Sequence, residues 1–119
     1  MPFEIFEYNK NLYAVLLDQE DYCYDWVLEK KTISCRYGDG HCYNDAFHDY
    51  LEQKNTSLNE RLDYDSENGM FCVYCKSLKD AELVANKLSM LYNNENKMLE
   101  LIKNTKIKYQ YEFNFDINI

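Results

Sequence analysis

The sequence predicts an α+β domain, built as an antiparallel sheet with helices packed mainly on one face. Residues 61–76 predict a hairpin, because two apolar stretches flank a polar turn containing Asn68-Gly69, a pair that adopts positive φ angles at low cost. Residues 78–92 predict an amphipathic helix with one apolar face. Residues 107–119 alternate apolar and polar side chains without a break, which indicates a C-terminal amphipathic strand.

Length and composition indicate one folded domain with an acidic surface. With 119 residues, 46% of them hydrophobic and 16% aromatic, the chain can form a single domain over residues 1–119. The net charge is −8, and residues 1–70 hold fifteen Asp and Glu against six Lys and Arg. Such a surface repels nucleic acid and anionic membranes and attracts a basic protein. We therefore expect a protein partner, with no nucleic acid and no membrane.

The cysteines and the N-terminus predict a cytoplasmic protein. The five cysteines are odd in number and follow no disulfide-framework spacing, so reduced thiols are expected. The first residues lack the basic and then apolar run of a signal peptide. No apolar run approaches the roughly 20 residues that span a bilayer.

The first thirty residues predict two strands followed by a helix. Residues 3–8 and 12–18 form the strands, on either side of a turn-forming Asn-Lys-Asn. The acids of residues 18–21 suit a helix N-terminus, and a pair of lysines suits its C-terminus at about Lys30. Trp26 falls on the apolar stripe of this predicted helix.

The next segment predicts a short strand and a second helix. Residues 32–37 are the predicted strand, which a Gly-Asp-Gly turn ends. Asn44 is the predicted N-cap of a helix that runs to about Gln53. Four apolar residues at helical spacing give this helix a compact buried stripe.

The strand after the polar turn is predicted to be the central one. Residues 70–75 carry apolar side chains on both faces, which indicates a strand covered on both sides. Ser77 followed by Asp80 resembles a capping box and predicts the start of the helix over residues 78–92.

The C-terminal part predicts one more helix and the amphipathic strand. Asn93-Asn94 ends the long helix, and residues 95–103 form a second, shorter one. The strand over residues 107–119 is expected to close the sheet at its edge, since such a face left bare would aggregate. Pairing of this strand with a second copy of the chain is the alternative.

Cys72 and Cys75 have the spacing of a metal or redox pair. Positions three apart on a strand point to opposite faces, so the pair cannot chelate a metal without a special turn. Two buried thiols that act as small hydrophobic side chains are the preferred interpretation. No metal site and no cofactor are predicted.

The two histidines allow an enzymatic alternative. Asp45 and His48 lie three apart on the predicted helix, as ligands or as an acid–base pair, although a solvated helix face is the preferred explanation. His41 is a possible partner for a nucleophilic Cys42 or Cys75 in a small enzyme. The preferred interpretation is a protein that is not an enzyme, and no catalytic residue is predicted.

Three sequence motifs occur together in this chain. They are a glycine-rich turn leading into an aromatic-headed helix, an acidic turn with its strand, and a Leu- and Ala-rich helix. In this chain they are GDGHCYNDAF at 38–47, DYDSENGMF at 63–71 with Tyr74 after it, and residues 78–92. This set resembles immunity protein family 51 of the bacterial polymorphic toxin systems. The resemblance implies a non-catalytic cytosolic protein that binds and silences one toxin domain.

The acids and the aromatic residues near them then predict a toxin-binding surface. Carboxylates in this number imitate phosphates in front of the basic cleft of a nuclease, and they speed capture by electrostatic steering. Tyrosine and tryptophan commonly anchor interfaces, although Trp26 fits the core equally well. The predicted toxin-binding residues are Asp21, Tyr22, Asp25, Trp26, Asp39, His41, Tyr43, Asp45, Asp65 and Glu67. The predicted function is neutralisation of a toxin by occlusion of its active site; a small enzyme and a self-assembling module remain the alternatives.

Overall fold

The computed structural model of the chain describes residues 2–35 and 38–109. Its strands are β1 (Phe3–Asn9), β2 (Leu12–Asp18), β3 (Asp63–Tyr64) and β4 (Met70–Cys75). Its α-helices are α1 (Asp25–Leu28), α2 (Gly40–Lys54), α3 (Thr56–Asn59), α4 (Leu78–Tyr92) and α5 (Glu95–Asn104). Two short 3-10 helices lie at Gln19–Asp21 and Ile33–Cys35. The predicted α+β class is confirmed.

The described strands form one antiparallel sheet in the order β1-β2-β4-β3. β4 pairs with β2 on one side and with β3 on the other, so the predicted central position of this strand is confirmed. Paired residues point to the same face of a sheet, which gives the two faces different compositions. Phe3, Leu17 and Phe71 form one cross-strand row on the face that we call the inner face.

The core lies between the inner face and helices α2 and α4. Phe3 contacts the ring of Phe47 on α2 at 5.6 Å and that of Tyr92 on α4 at 5.5 Å, both edge to face. Phe47 meets Phe71 on β4 at 4.9 Å in the same way. Such edge-to-face pairs add to the hydrophobic contribution of burying the rings. The expectation of helices packed on one face is met by α2 and α4.

Helix α4 has the start and the buried face that the sequence predicts. Ser77 is its N-cap, and the Ser77 hydroxyl accepts a hydrogen bond of 3.1 Å from the backbone N–H of Asp80. Asp80 adds a negative charge in the first turn, which the helix dipole favours. Helix α5 follows almost at once, with the Asn94 side chain capping it through the N–H of Lys97.

Two serines of the α4 segment are expected to respond oppositely to replacement by alanine. Ser77→Ala removes the cap and lowers the free energy of unfolding by about 1 kcal/mol. Ser89 is buried, and its hydroxyl has no hydrogen-bond partner among the described residues, so Ser89→Ala raises that free energy by about 1 kcal/mol. Urea unfolding of both variants measures the two changes, and shifts of the same sign would contradict this description of α4.

The predicted helix over residues 18–30 is wrong. The segment instead forms the short 3-10 helix Gln19–Asp21 and the single turn α1. Its backbone groups bond to distant residues: the N–H of Gln19 donates to the Gly69 carbonyl at 3.0 Å, and the N–H of Tyr24 donates to the Tyr43 hydroxyl at 2.9 Å. These tertiary bonds replace the ones a continuous helix would make.

Two further boundaries differ from the sequence prediction. α2 begins at Gly40, four residues before the predicted cap, because Asp39 supplies the capping carboxylate. Asn44 lies inside the helix, where its side-chain oxygen accepts a 2.6 Å hydrogen bond from the Ser66 hydroxyl. The strand predicted over residues 32–37 is also wrong where it is described, since Ile33–Cys35 is a 3-10 helix.

Of the predicted C-terminal strand, the structure describes residues 107–109. Residues 107–109 have no regular secondary structure, so the prediction that the strand begins at Ile107 is wrong. The remainder of the predicted strand, with its proposed pairing to a second copy, lies outside the described residues. Within the two described ranges, none of the helices has the length and apolar character needed to cross a membrane.

The expectation of five reduced thiols is wrong for two of them. Cys35 and Cys42 form a disulfide that ties the 3-10 helix Ile33–Cys35 to the first turn of α2. Cys23 is free and exposed, whereas Cys72 and Cys75 are free and buried. The spacing gave no signal for this pair, because two cysteines seven positions apart match no disulfide-framework spacing.

Thiol titration tests the disulfide directly. In denaturant without a reductant, three cysteines are expected to react with a thiol reagent, and five after reduction. Cys35→Ser should leave the two counts equal, because the remaining four thiols are then all free. Five reactive thiols in the unreduced wild-type protein would contradict the bond.

Candidate binding surface

Three acidic loops meet at the N-terminus of α2. The backbone N–H of Gly40 donates to the Asn68 carbonyl at 2.8 Å, and that of Gln19 donates to the Gly69 carbonyl at 3.0 Å. The Tyr22 hydroxyl adds a longer bond of 3.4 Å to the Asn68 carbonyl. We name this surface the acidic junction and define it as residues 18–25, 38–40 and 65–69. Acids from three separate parts of the sequence therefore lie side by side.

Asp39 fastens the acidic junction from within. Only 2% of Asp39 is exposed, and one carboxylate oxygen accepts hydrogen bonds from the His41 backbone N–H at 2.8 Å and from the His41 ring at 2.7 Å. Its other oxygen accepts a 3.3 Å bond from the Asn68 side chain. A carboxylate at this end of a helix is also favoured by the helix dipole. Asp39 is thus a positioning residue for the loops and presents little surface to a partner.

Tyr43 and Asp25 form a second internal tie. The buried Tyr43 hydroxyl donates to an Asp25 carboxylate oxygen at 2.7 Å and accepts from the backbone N–H of Tyr24. The Tyr22 ring stacks on the Tyr43 ring at 4.4 Å between centroids. Burial raises the pKa of the Asp25 carboxyl, and the hydrogen bond from Tyr43 opposes that rise. The predicted anchor Tyr43 therefore supports the surface from below.

The pKa of the Tyr22 phenol is affected by several of these acids. The Tyr22 side chain is half-buried, and burial raises the pKa of its phenol well above the ordinary value. The carboxylates of Asp39, Asp25 and Asp18 raise that pKa as well, because a phenolate beside them would be repelled. Asp18 and Asp39, which are 21 positions apart in the sequence, therefore both act on the Tyr22 phenol.

Two glycines allow the close approach of the loops. A Cβ atom on Gly40 would lie 2.8 Å from the Met70 carbonyl group and closer still to the Glu67 carbonyl oxygen. Gly38 has a positive φ of 71°, and a side chain there would collide with the Asp25 carboxylate. The Gly-Asp-Gly stretch is therefore required by packing at the acidic junction.

The outward part of the acidic junction is formed by other residues. Asp21 and Glu67 are exposed, and so are Asp18 and Glu20, which the prediction did not include. Trp26 on α1 is 49% exposed, and its ring N–H donates to the Cys23 carbonyl at 3.1 Å. Trp26 is consequently accessible at the border of the acids.

The C-terminal segment contacts two of the predicted binding residues. The His41 ring stacks on the Tyr109 ring at 4.3 Å with nearly parallel planes. One Asp45 carboxylate oxygen accepts hydrogen bonds from the backbone N–H groups of Lys108 and Tyr109, both at 2.8 Å. His41 and Asp45 therefore fasten the chain's own residues 106–109 to α2.

Asp65 and Asn68 both lie in the loop between β3 and β4. Asp65 is exposed beyond the end of β3, where its backbone N–H donates to the Cys72 carbonyl at 3.0 Å. Asn68 bridges Asp39, Gly40 and Tyr22, although the sequence marked it only as a turn former. These hydrogen bonds of Asn68 depend on the tertiary fold, so no local sequence pattern predicts them.

The residues of the enzymatic alternative take part in other contacts in the structure. Cys42 is held in the disulfide, and burial raises the pKa of the Cys75 thiol to about 12. The His48 ring lies 5.0 Å from the Tyr64 ring, and Asp45 accepts hydrogen bonds from the backbone of Lys108 and Tyr109. Asp45 and His48 nevertheless line the same surface pocket, together with Lys106 and Lys108. Within residues 2–35 and 38–109, no group of three His, Cys, Asp or Glu side chains is placed to hold a metal ion.

The fold and this surface define an α+β protein that presents a group of acids supported by buried tyrosines. The sequence family is equally well defined. The family model of Immunity protein 51 matches residues 3–107, and the chain belongs to that family. Membership makes it an immunity protein, whose partner is a cognate toxin. No curated protein and no solved structure matches the chain.

Proposed function

We propose that this immunity protein neutralises its toxin by placing the acidic junction over the toxin's active site. The toxin surface that it meets is basic, as in the substrate cleft of a nuclease. No bond is made or broken in this mechanism, because the immunity protein acts by binding tightly and excluding the substrate. The protein works in the cytoplasm in this proposal.

The convergence of three acidic loops is the observation that supports this proposal most. Two of the loops contribute exposed acids, Asp18 and Asp21 from one and Glu67 from the other, and their backbones are hydrogen-bonded to each other. The third loop contributes Asp39, which is buried. Like charges held together repel one another, so the arrangement costs stability that hydrogen bonds and packing must offset. A basic partner removes that cost when it binds, and the same field accelerates its approach.

The ten predicted residues divide into three groups within this proposal. Asp21, Trp26, Asp65 and Glu67 are exposed and meet the toxin directly. Tyr22 and Asp25 are partly exposed at the centre of the acidic junction. The remaining four hold the surface in place, through the bonds of Asp39 and Tyr43 inside it and of His41 and Asp45 to the C-terminal segment. Pairing of residues 107–119 with a second copy stays a prediction.

Neutralisation of surface charge tests the proposal. The partner is the toxin domain encoded beside this gene, and the immunity variant combines Glu20→Gln, Asp21→Asn and Glu67→Gln, all exposed positions. We expect the association rate constant to fall by about tenfold with little change in the dissociation rate, since exposed charges act mainly on encounter. Stopped-flow mixing of the two proteins measures both rates.

A control variant removes the same charge from another surface. Glu82→Gln, Glu95→Gln and Glu100→Gln lie on α4 and α5 and are equally exposed. This triple variant should associate at nearly the wild-type rate. Equal slowing of both triple variants would show that only net charge matters, and absence of binding by the wild-type protein would refute the proposed function itself.

A further inference from the structure

The face of the sheet opposite the core carries an aromatic cluster that the acidic junction does not include. Phe6 pairs with Ala14 across β1 and β2, and Ala14 pairs with Tyr74 across β2 and β4. Paired and alternate residues share a face, so these three side chains point away from the inner face that holds Phe3 and Phe71. We name this side the outer face.

The aromatic cluster on the outer face is accessible. Phe6 is 53% exposed and Tyr8 is 54% exposed, and their rings contact each other at 4.8 Å. The Tyr8 ring lies 5.8 Å from the half-buried Tyr74 ring. Ala14 and Cys72 are buried beneath these side chains and form an apolar floor. β4 was expected to be covered on both sides, but on this face the cover consists of neighbouring side chains.

Acids form the border of the aromatic cluster. Glu4 is exposed in the row of Leu16 and Cys72, and Asp63 pairs with Tyr74 from β3. Burial raises the pKa of the Cys72 thiol to about 11, and the carboxylates of Asp65, Glu67 and Asp63 raise it as well. The strand pairing agrees, because the Asp65 N–H donates to the Cys72 carbonyl and Glu67 pairs with Met70. Lys76, at the end of β4, adds one base to the same border.

We propose that the outer face, centred on Phe6, Tyr8 and Tyr74, is a docking surface for the basic toxin domain. This inference rests on the proposed function and adds the place of the main hydrophobic anchor. Exposed aromatic side chains inside a polar border are the arrangement of an interface hot spot. Because the border is acidic, the matching partner surface carries Lys or Arg around an apolar centre. Asp65 and Glu67 belong to both surfaces, so the outer face continues into the acidic junction.

Charge distinguishes this occupant from two others. A second copy of the chain would bring the same acids, Glu4 and Asp63 among them, against one another. The chain's own residues 110–119 contain two acids and no Lys, Arg or His, so they also lack the complementary charge. A basic partner is the occupant that the border favours.

Alanine variants of the exposed rings test the docking surface. Phe6→Ala and Tyr8→Ala should each weaken binding to the toxin domain encoded beside this gene by roughly 30-fold, as expected for central aromatic anchors. Isothermal titration calorimetry measures the dissociation constants, and far-UV circular dichroism with a thermal melt verifies that the variants fold. Both side chains are more than half exposed, so the fold should tolerate their truncation.

The matched control is Met90→Ala on α4, where a large apolar side chain is 76% exposed on a different surface. Its affinity for the toxin domain should equal that of the wild-type protein. Wild-type affinity in folded Phe6→Ala and Tyr8→Ala would overturn the docking surface while leaving the proposed function intact. If the wild-type protein itself does not bind the toxin, the proposed function fails first.

The other occupants produce results of their own. A wild-type dimer in analytical ultracentrifugation that Phe6→Ala converts to a monomer would assign the outer face to a second copy and overturn the proposal. Phe113→Ala combined with Phe115→Ala, in the full-length chain, should leave the affinity for the toxin domain unchanged. Tighter binding by that double variant would mean that residues 110–119 compete with the toxin domain for the outer face, which would support docking of the toxin there.

Discussion

Replacing Gly40 with alanine is expected to lower the free energy of unfolding by about 3 kcal/mol, the upper part of the range for overpacked sites. The added methyl group would meet the backbone carbonyl groups of Glu67 and Met70, which cannot rotate away as a flexible side chain can. The β3–β4 turn would have to move away from α2, and the Gly40–Asn68 hydrogen bond would lengthen or break. Urea unfolding followed by circular dichroism measures the loss.

Gly69→Ala is the control for that variant. A methyl group on Gly69 would meet only the side-chain oxygen of Gln19, at an ordinary contact distance of 3.4 Å. Its effect on the free energy of unfolding should stay within about 0.5 kcal/mol. Equal stability of Gly40→Ala and Gly69→Ala would show that the three loops are not packed as described.

Tyr43→Phe is expected to lower the free energy of unfolding by about 2 kcal/mol at neutral pH. The change keeps the stacked ring but removes a hydroxyl that satisfies both the Asp25 carboxylate and the Tyr24 backbone N–H. Leaving buried polar groups without partners accounts for a loss of this size. Tyr22→Phe is the matched control, since the hydrogen bond of its hydroxyl to the Asn68 carbonyl is long, at 3.4 Å, and its effect should be small.

The effect of Tyr43→Phe should depend on pH. The folded-state pKa of Asp25 lies above the ordinary value, so the stability linked to Asp25 is complete at acidic pH and is lost as pH rises through that pKa. Removing the Tyr43 hydroxyl raises the Asp25 pKa further, because the opposing hydrogen bond is gone. The destabilisation should therefore be larger at neutral than at acidic pH. A penalty that grows on acidification would contradict the Tyr43–Asp25 tie.

The elements with strong local signals were predictable from the sequence. α4 begins at Leu78, directly after its cap Ser77, and ends at Tyr92, because the cap and the apolar periodicity agree. The strands β1, β2 and β4 follow from alternation and from turn residues between them. In each case the local preference and the tertiary packing favour the same conformation.

The secondary structure was predicted wrongly in segments where backbone groups form hydrogen bonds with residues distant in the sequence. Gln19 and Tyr24 both donate to groups far along the chain, so acids near a helix start were a misleading signal. The Cys35–Cys42 disulfide similarly joins α2 to a 3-10 helix at Ile33–Cys35, where the sequence predicted a strand. Sequence periodicity carries no information on such long-range partners.

The candidate surface was predictable in charge but not in the role of each residue. The excess of acids before residue 70 suggested a surface rich in carboxylates, and three of them, Asp18, Asp25 and Asp39, raise the pKa of the Tyr22 phenol together. Asp39 and Tyr43 are nevertheless buried supports. The aromatic cluster of Phe6, Tyr8 and Tyr74 was missed, although the alternation of β1 and β4 contained the signal. Only the strand register brings those rings together.

We propose that the chain acts by presenting an acidic surface to a basic toxin. The dependence of the association rate constant on salt concentration tests it most directly. Wild-type protein mixed with the toxin domain encoded beside its gene should associate on the order of tenfold more slowly as salt rises from low to physiological concentration. A rate constant that stays unchanged over the same range would contradict the claim.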